Sequence, residues 1–195
     1  MNKPIFADWR SSFGDYLSNS SVADSLKAAS VAADLASWTS SLTTVIVRTC
    51  EEMGWIASGR WNPSRRLPKT GKEYLGMDVM AFPQGPEPRW PMPLAVFELE
   101  NSPTDLRVAY SLWKVLCLRV PLRVVFAYRP DWESSRELIT VLAEDVIGGL
   151  SAEERMAIVG QTVVAVGNRG EGDTFPWGYF KFWMLNSNLG RFEKI

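Results

Sequence analysis

The stretch from residue 93 to 128 constrains the fold more than any other. It reads PLAVFELE, then NSPTD, then a mixed apolar and polar run to Leu118, then PLRVVFAY. The two flanking runs are short, start at proline and are rich in β-branched and aromatic residues, which is a strand pattern. Between them Ser102, Pro103 and Asp105 supply an N-cap, a first-turn proline and an acid placed for a capping box, so a helix is expected over about 103–118. Leu106, Ala109, Leu112, Trp113 and Leu116 would form its packing face. A helical crossover of this length joins parallel strands, so the chain reads as α/β.

The remaining segments extend that reading. GMDVMAF (76–82) is a further strand pattern, and the Pro-laden connection to 93–100 makes the two an antiparallel pair. Residues 4–18 suit a short helix. Residues 21–54 read as one long Ala/Ser/Leu-rich helix capped by Ser21 and ended by Gly54, whose weak charge implies burial or a face for a homodimer. A helix near 133–148 and strands at 161–167 and 177–185 follow. GNRGEGDTFPWG, with Gly167, Gly170 and Gly172, lacks phosphate-loop spacing and reads as a hairpin connection. With 195 residues, 46% of them hydrophobic, one buried core is expected, with 1–55 a helical N-terminal part and 56–195 the α/β core of a single domain.

Composition excludes several chemistries. The chain contains no histidine, which removes Ser-His-Asp and Cys-His catalysis and the usual nitrogen ligand of zinc. A net charge of -1 and a pI near 5.6 leave no global positive field, so any nucleic-acid contact must be a local patch. Cys50 and Cys117 lie in apolar helical patterns and read as buried free thiols of a reducing compartment. MNKPIFADWRSS turns polar too soon for a signal peptide, and no apolar run approaches the roughly 18 residues of a membrane span, so a cytoplasmic protein without membrane contact is expected.

The remaining chemistry lies in carboxylates. In 93–100 alternate residues share a face, so Glu98 and Glu100 point the same way, about 7 Å apart at Cα. With Asp78 on the antiparallel neighbour, three acids would converge and repel unless a cation intervenes. A solvated strand end for Asp78, and an edge strand with a charged face for the two glutamates, are the simpler alternatives. A hard divalent ion resolves the repulsion, with Asp78 and Glu98 as principal ligands and the Leu99 carbonyl as a third oxygen.

Asp78, the 20-residue step to Glu98 and the E-L-E of 98–100, followed by a capped helix and a strand, resemble the PD-(D/E)XK (restriction-endonuclease-like) superfamily over roughly residues 44–128. The resemblance implies an αβββαβ core with a mixed central sheet flanked by helices, here with an N-terminal helical extension. It also implies Mg²⁺ or Mn²⁺ as cofactor and phosphodiester hydrolysis in DNA. Glu100 stands where the family has lysine, and Lys114 on the following helix resembles a relocated one. Tyr110 lies one turn earlier on that helix. Glu51 or Glu52 matches the helical glutamate that many such enzymes add, and Asn101 could hydrogen-bond a ligand carboxylate.

The basic loop Arg60, Arg65, Arg66, Lys69 and Lys72, with Trp61, would follow a phosphate backbone or simply be solvated. Two further readings compete with a nuclease: an inactive protein on the same fold acting as a DNA-binding or regulatory module, and an interaction protein without a nucleic-acid role.

Overall fold

The computed structural model describes residues 5–32, 34–68, 73–85, 90–170 and 175–195. The chain divides into two compact units, Met1–Phe97 and Glu98–Ile195. Among the described residues seven strands form a mixed sheet and, with the helices around them, an α/β architecture.

The first unit opens with three helices. In α1 (Ile5–Leu17) Phe6, Trp9, Phe13 and Leu17 form the buried stripe, and the Trp9 and Phe13 rings stack with centroids 4.8 Å apart. α2 (Ser20–Val31) starts at Asn19, whose side chain accepts from the Ser21 N–H. α3 (Leu35–Glu52) starts at Asp34, which accepts from both the N–H and the hydroxyl of Ser37. The single helix expected over 21–54 is therefore two helices, and Asn19 rather than Ser21 caps the first. No proline or glycine marks the break; a carboxylate that satisfies the free N–H groups of a new helix start is sufficient. α3 buries Trp38, Leu42, Val45, Ile46 and Cys50, so its apolar face is used inside this unit.

Gly54, at φ +76°, reverses the chain after α3 into β1 (Trp55–Gly59), a strand absent from the sequence reading. β1 pairs antiparallel with β2 (Val79–Pro83), and β2 pairs antiparallel with β3 (Ala95–Leu99), as expected for the segments 76–82 and 93–100. A Cβ on Gly59 would lie 2.8 Å from the Asp78 carbonyl oxygen, so this close approach requires glycine.

The second unit takes up β3 at Glu98. The Glu100 N–H donates to the Phe126 carbonyl at 2.9 Å, continuing the ladder from the end of β3 to β4 (Leu122–Arg129). Every residue of β4 is buried, the pattern of a strand covered on both faces. β4 is parallel to β5 (Gln161–Asn168), and β5, β6 (Phe180–Asn186) and β7 (Arg191–Lys194) are successively antiparallel. The connection at 169–179 joins two antiparallel neighbours, as expected of a hairpin, with residues 171–174 outside those described. α5 (Trp132–Val141) is capped by Asp131 and runs into a π-helical segment, Leu142–Ile147; α6 (Ala152–Ala157) carries a capping box from Ser151 and Glu154.

α4 (Asp105–Leu116) departs from its expected register. Its N-cap is Thr104, without a side-chain cap bond; Ser102 Oγ receives the Thr104 N–H, and Asp105 is held by Arg129 instead of closing a capping box. The buried face is Val108, Ala109, Ser111, Leu112 and Val115, while Leu106 and Trp113 are exposed. Cys117 is exposed as well, contrary to the expectation of two buried thiols. Below its C-terminus Arg123 of β4, 1% exposed, donates to the carbonyls of Val115, Leu118 and Val159. Among the described residues no helix is long and apolar enough to cross a membrane.

Candidate active site

Glu98 is the penultimate residue of β3 and only 4% exposed. A carboxylate in that position is costly unless a positive group meets it. Lys114, in the last turn of α4, does so: its Nζ lies 2.7 Å from Glu98 Oε2, with a quarter of the lysine side chain still accessible. The lysine also sits where a cation complements the negative end of the helix.

A second ion pair fixes the opposite end of α4. Arg129, at the end of β4 and 6% exposed, bonds Asp105 through Nη2 and the Tyr128 carbonyl through Nη1. One strand acid thus meets a helix lysine and one helix acid meets a strand arginine. The sequence reading assigned Asp105 to a cap and overlooked Arg129; the available signal was an arginine directly after the apolar run Val124–Tyr128, a residue type that is rarely buried without a partner.

The other candidates are distributed as follows. Glu100 Oε1 accepts the Ser102 N–H at 2.8 Å and so organises the turn into α4. Asn101 is half-buried in that turn, and Leu99 is buried. Tyr110 is exposed, with its ring 6.0 Å from that of Trp113. In the first unit Asp78 is half-buried and immediately precedes β2. Glu51 and Glu52 are the exposed last residues of α3, and Glu51 accepts from Arg48 at 2.9 Å. Arg60, Trp61, Arg65 and Arg66 are exposed, the Arg60 guanidinium lies 5.2 Å from the Trp61 ring centroid, and Arg65 and Arg66 border a cavity of about 410 Å³ with Trp55 at its wall. Lys69 and Lys72 lie outside the described residues.

Among the described residues no group of three or more His, Cys, Asp or Glu side chains is gathered to hold a metal ion. No family model matches the chain, nor does any curated protein or solved structure.

The chemistry of this arrangement must therefore be argued from its own donors. The Glu98–Lys114 pair presents oxygen and ammonium groups only. A partly accessible ammonium bonded to a buried carboxylate is also a pre-oriented positive charge that could stabilise an anionic transition state.

Proposed function

We propose that the chain is a metal-dependent phosphodiester hydrolase of the PD-(D/E)XK type, acting on DNA, with Glu98 and Lys114 at its reactive centre. The observation that carries this reading is the 2.7 Å bond between Lys114 and Glu98. A lysine relocated from the strand to the following helix has to reach the strand acid, and a merely solvated Lys114 would not. The order α3, β1, β2, β3, α4, β4 supports the reading too, because it runs helix, three strands, helix, strand. Asp78 enters as second ligand through the sequence pattern alone.

In this reading Glu98 would offer a carboxylate oxygen to Mg²⁺ or Mn²⁺, which when bound would lower the pKa of a water and neutralise phosphate charge. Lys114 directs its ammonium at the non-bridging phosphate oxygens, where negative charge grows as the nucleophile adds. The bond from Glu98 holds the ammonium in place before substrate arrives, so its side chain loses little freedom in the transition state. Glu100 holds the turn into α4 through the bond it accepts from the Ser102 N–H.

The second reading, an inactive binding or regulatory module, is favoured by one observation: among the described residues no cluster of three acids is present. One experiment separates the two. Single- and double-stranded DNA and RNA are incubated with Mg²⁺ or Mn²⁺, and Mn²⁺ binding is followed by calorimetry, for wild type, Asp78→Ala and Glu98→Gln. The hydrolase reading expects cleavage and Mn²⁺ binding that Glu98→Gln abolishes. Cleavage that survives both substitutions would overturn the site, and its absence with every substrate would leave the module.

A further inference from the structure

α4 has a second apolar face. Leu106, Tyr110, Trp113 and Cys117 follow one another at steps of four, three and four residues, which on a helix is a single stripe. Leu106 is 82%, Tyr110 54% and Trp113 52% exposed, and Cys117 is an exposed free thiol. The helix already buries Val108, Ala109, Leu112 and Val115 on its other side, so this stripe contributes nothing to the core. Large aromatic side chains left in water on a short helix call for an occupant.

The charges beside the stripe indicate which occupant. Arg107 and Arg119 are exposed and have no ion-pair partner among the described residues. The one acid of α4, Asp105, is bound to Arg129. On α4 itself the exposed face is thus aromatic and cationic; past its C-terminus Glu154 lines one cavity with Cys117 and Arg119. A second copy of the same face would bring arginines against arginines, and four side chains fall well short of the roughly 800 Å² per partner that a stable interface needs. A single-stranded nucleic acid supplies the complement: π-faces for Tyr110 and Trp113, and phosphates for the arginines. Duplex DNA hides its base faces in the stack and cannot use the rings.

We infer that the outer face of α4 is a binding platform for single-stranded nucleic acid, with bases stacked on Tyr110 and Trp113 and the backbone held by Arg107. On the helix Arg107 and Lys114 occupy adjacent angular positions, both next to Tyr110, so a strand lying on the stripe runs alongside the Glu98–Lys114 pair. The inference takes the place of the reactive centre from the reading above and narrows the substrate class to single strands or unpaired regions.

The test is binding without catalysis. Fluorescence anisotropy in EDTA compares a labelled oligothymidylate with a duplex of equal length. Wild type is expected to prefer the single strand, each of Tyr110→Ala and Trp113→Ala to weaken it about tenfold, and the double variant about a hundredfold. Arg107→Ala is expected to weaken binding and lower the salt slope by about 0.7. All three positions are exposed, and thermal melting checks that the fold is kept. Unchanged affinity in a folded double variant, tighter binding of the duplex, or a wild-type dimer dispersed by the same substitutions overturns the platform. Because the experiment contains no metal, its failure leaves the hydrolase reading standing, whereas loss of cleavage as the only failure leaves the platform.

Discussion

Lys114 and Glu98 set the energetics around the site as well as its chemistry. Lys114→Met withdraws an ammonium from a carboxylate whose side chain is 6% exposed. Breaking such a pair from one side costs about 2–3 kcal/mol, at or below the low end for buried pairs because the lysine is a quarter accessible. Urea unfolding should show this loss, and Glu98→Gln introduced into Lys114→Met should recover part of it by removing the buried charge. Recovery would be missing if Glu98 were neutral in the folded protein. Arg123 gives a complementary case. Its carbonyl partners lie at the end of α4 and at Val159, and burial lowers its pKa to about 10, still charged at neutral pH. Arg123→Lys should cost about 3 kcal/mol or more, because one ammonium cannot satisfy carbonyls arranged for a guanidinium fork. Cys50 is the opposite sort of residue: desolvation pushes its thiol far up, so it should resist alkylation in the folded protein while exposed Cys117 reacts.

Helix starts give the elements a common acid response. The side-chain bond from Ser37 holds Asp34 below the ordinary carboxylate range, the backbone N–H of Ser134 does so for Asp131, and that of Ser151 for Glu154. A folded-state pKa that is depressed contributes stability in full above the unfolded value and loses it as pH falls through the folded one. The urea midpoint should therefore fall as pH drops below about 4. It should fall less in Asp34→Asn and Asp131→Asn, which still accept the cap bonds but do not titrate. The same caps show what the sequence revealed of the fold. The antiparallel pair, the strand β4, the β5–β6 hairpin and the Gly54 turn were legible because apolar runs and turn residues mark them. The break between α2 and α3 was not, since Asp34 acts through its side chain in a stretch without proline or glycine. Strand β1 was missed because WIASG is too short for an alternation to register. In α4 two apolar faces compete, Leu106 and Trp113 on one, Val108 and Val115 on the other, and periodicity does not say which meets the sheet. For the site, alternation put Glu98 and Glu100 on one face and the family resemblance singled out Lys114; the bond from the Ser102 N–H to Glu100 depends on backbone geometry that no spacing encodes.

Over the whole molecule, charge and composition limit how the protein could engage a polyanion. The net charge is -1 and histidine is absent, so no side chain has an ordinary pKa between pH 6 and 7.5. Nucleic-acid binding should accordingly be flat across that interval, as checked by anisotropy at constant ionic strength. Attraction arises from local arginines rather than from a global field, so the salt dependence should be shallow. A slope of about 1.4 for single strands corresponds to two phosphate contacts, as Arg107 and Arg119 would make, whereas one near 7 would require a basic surface that this composition does not supply. The central claim is that the Glu98–Lys114 pair is a reactive centre and not only a structural ion pair. The most direct measurement is single-turnover cleavage of single-stranded DNA in Mn²⁺ by wild type, Glu98→Gln and Lys114→Met, each shown to be folded at the assay temperature. The account predicts cleavage by wild type and losses of about a hundredfold or more in both variants; folded variants that cleave at the wild-type rate would contradict it.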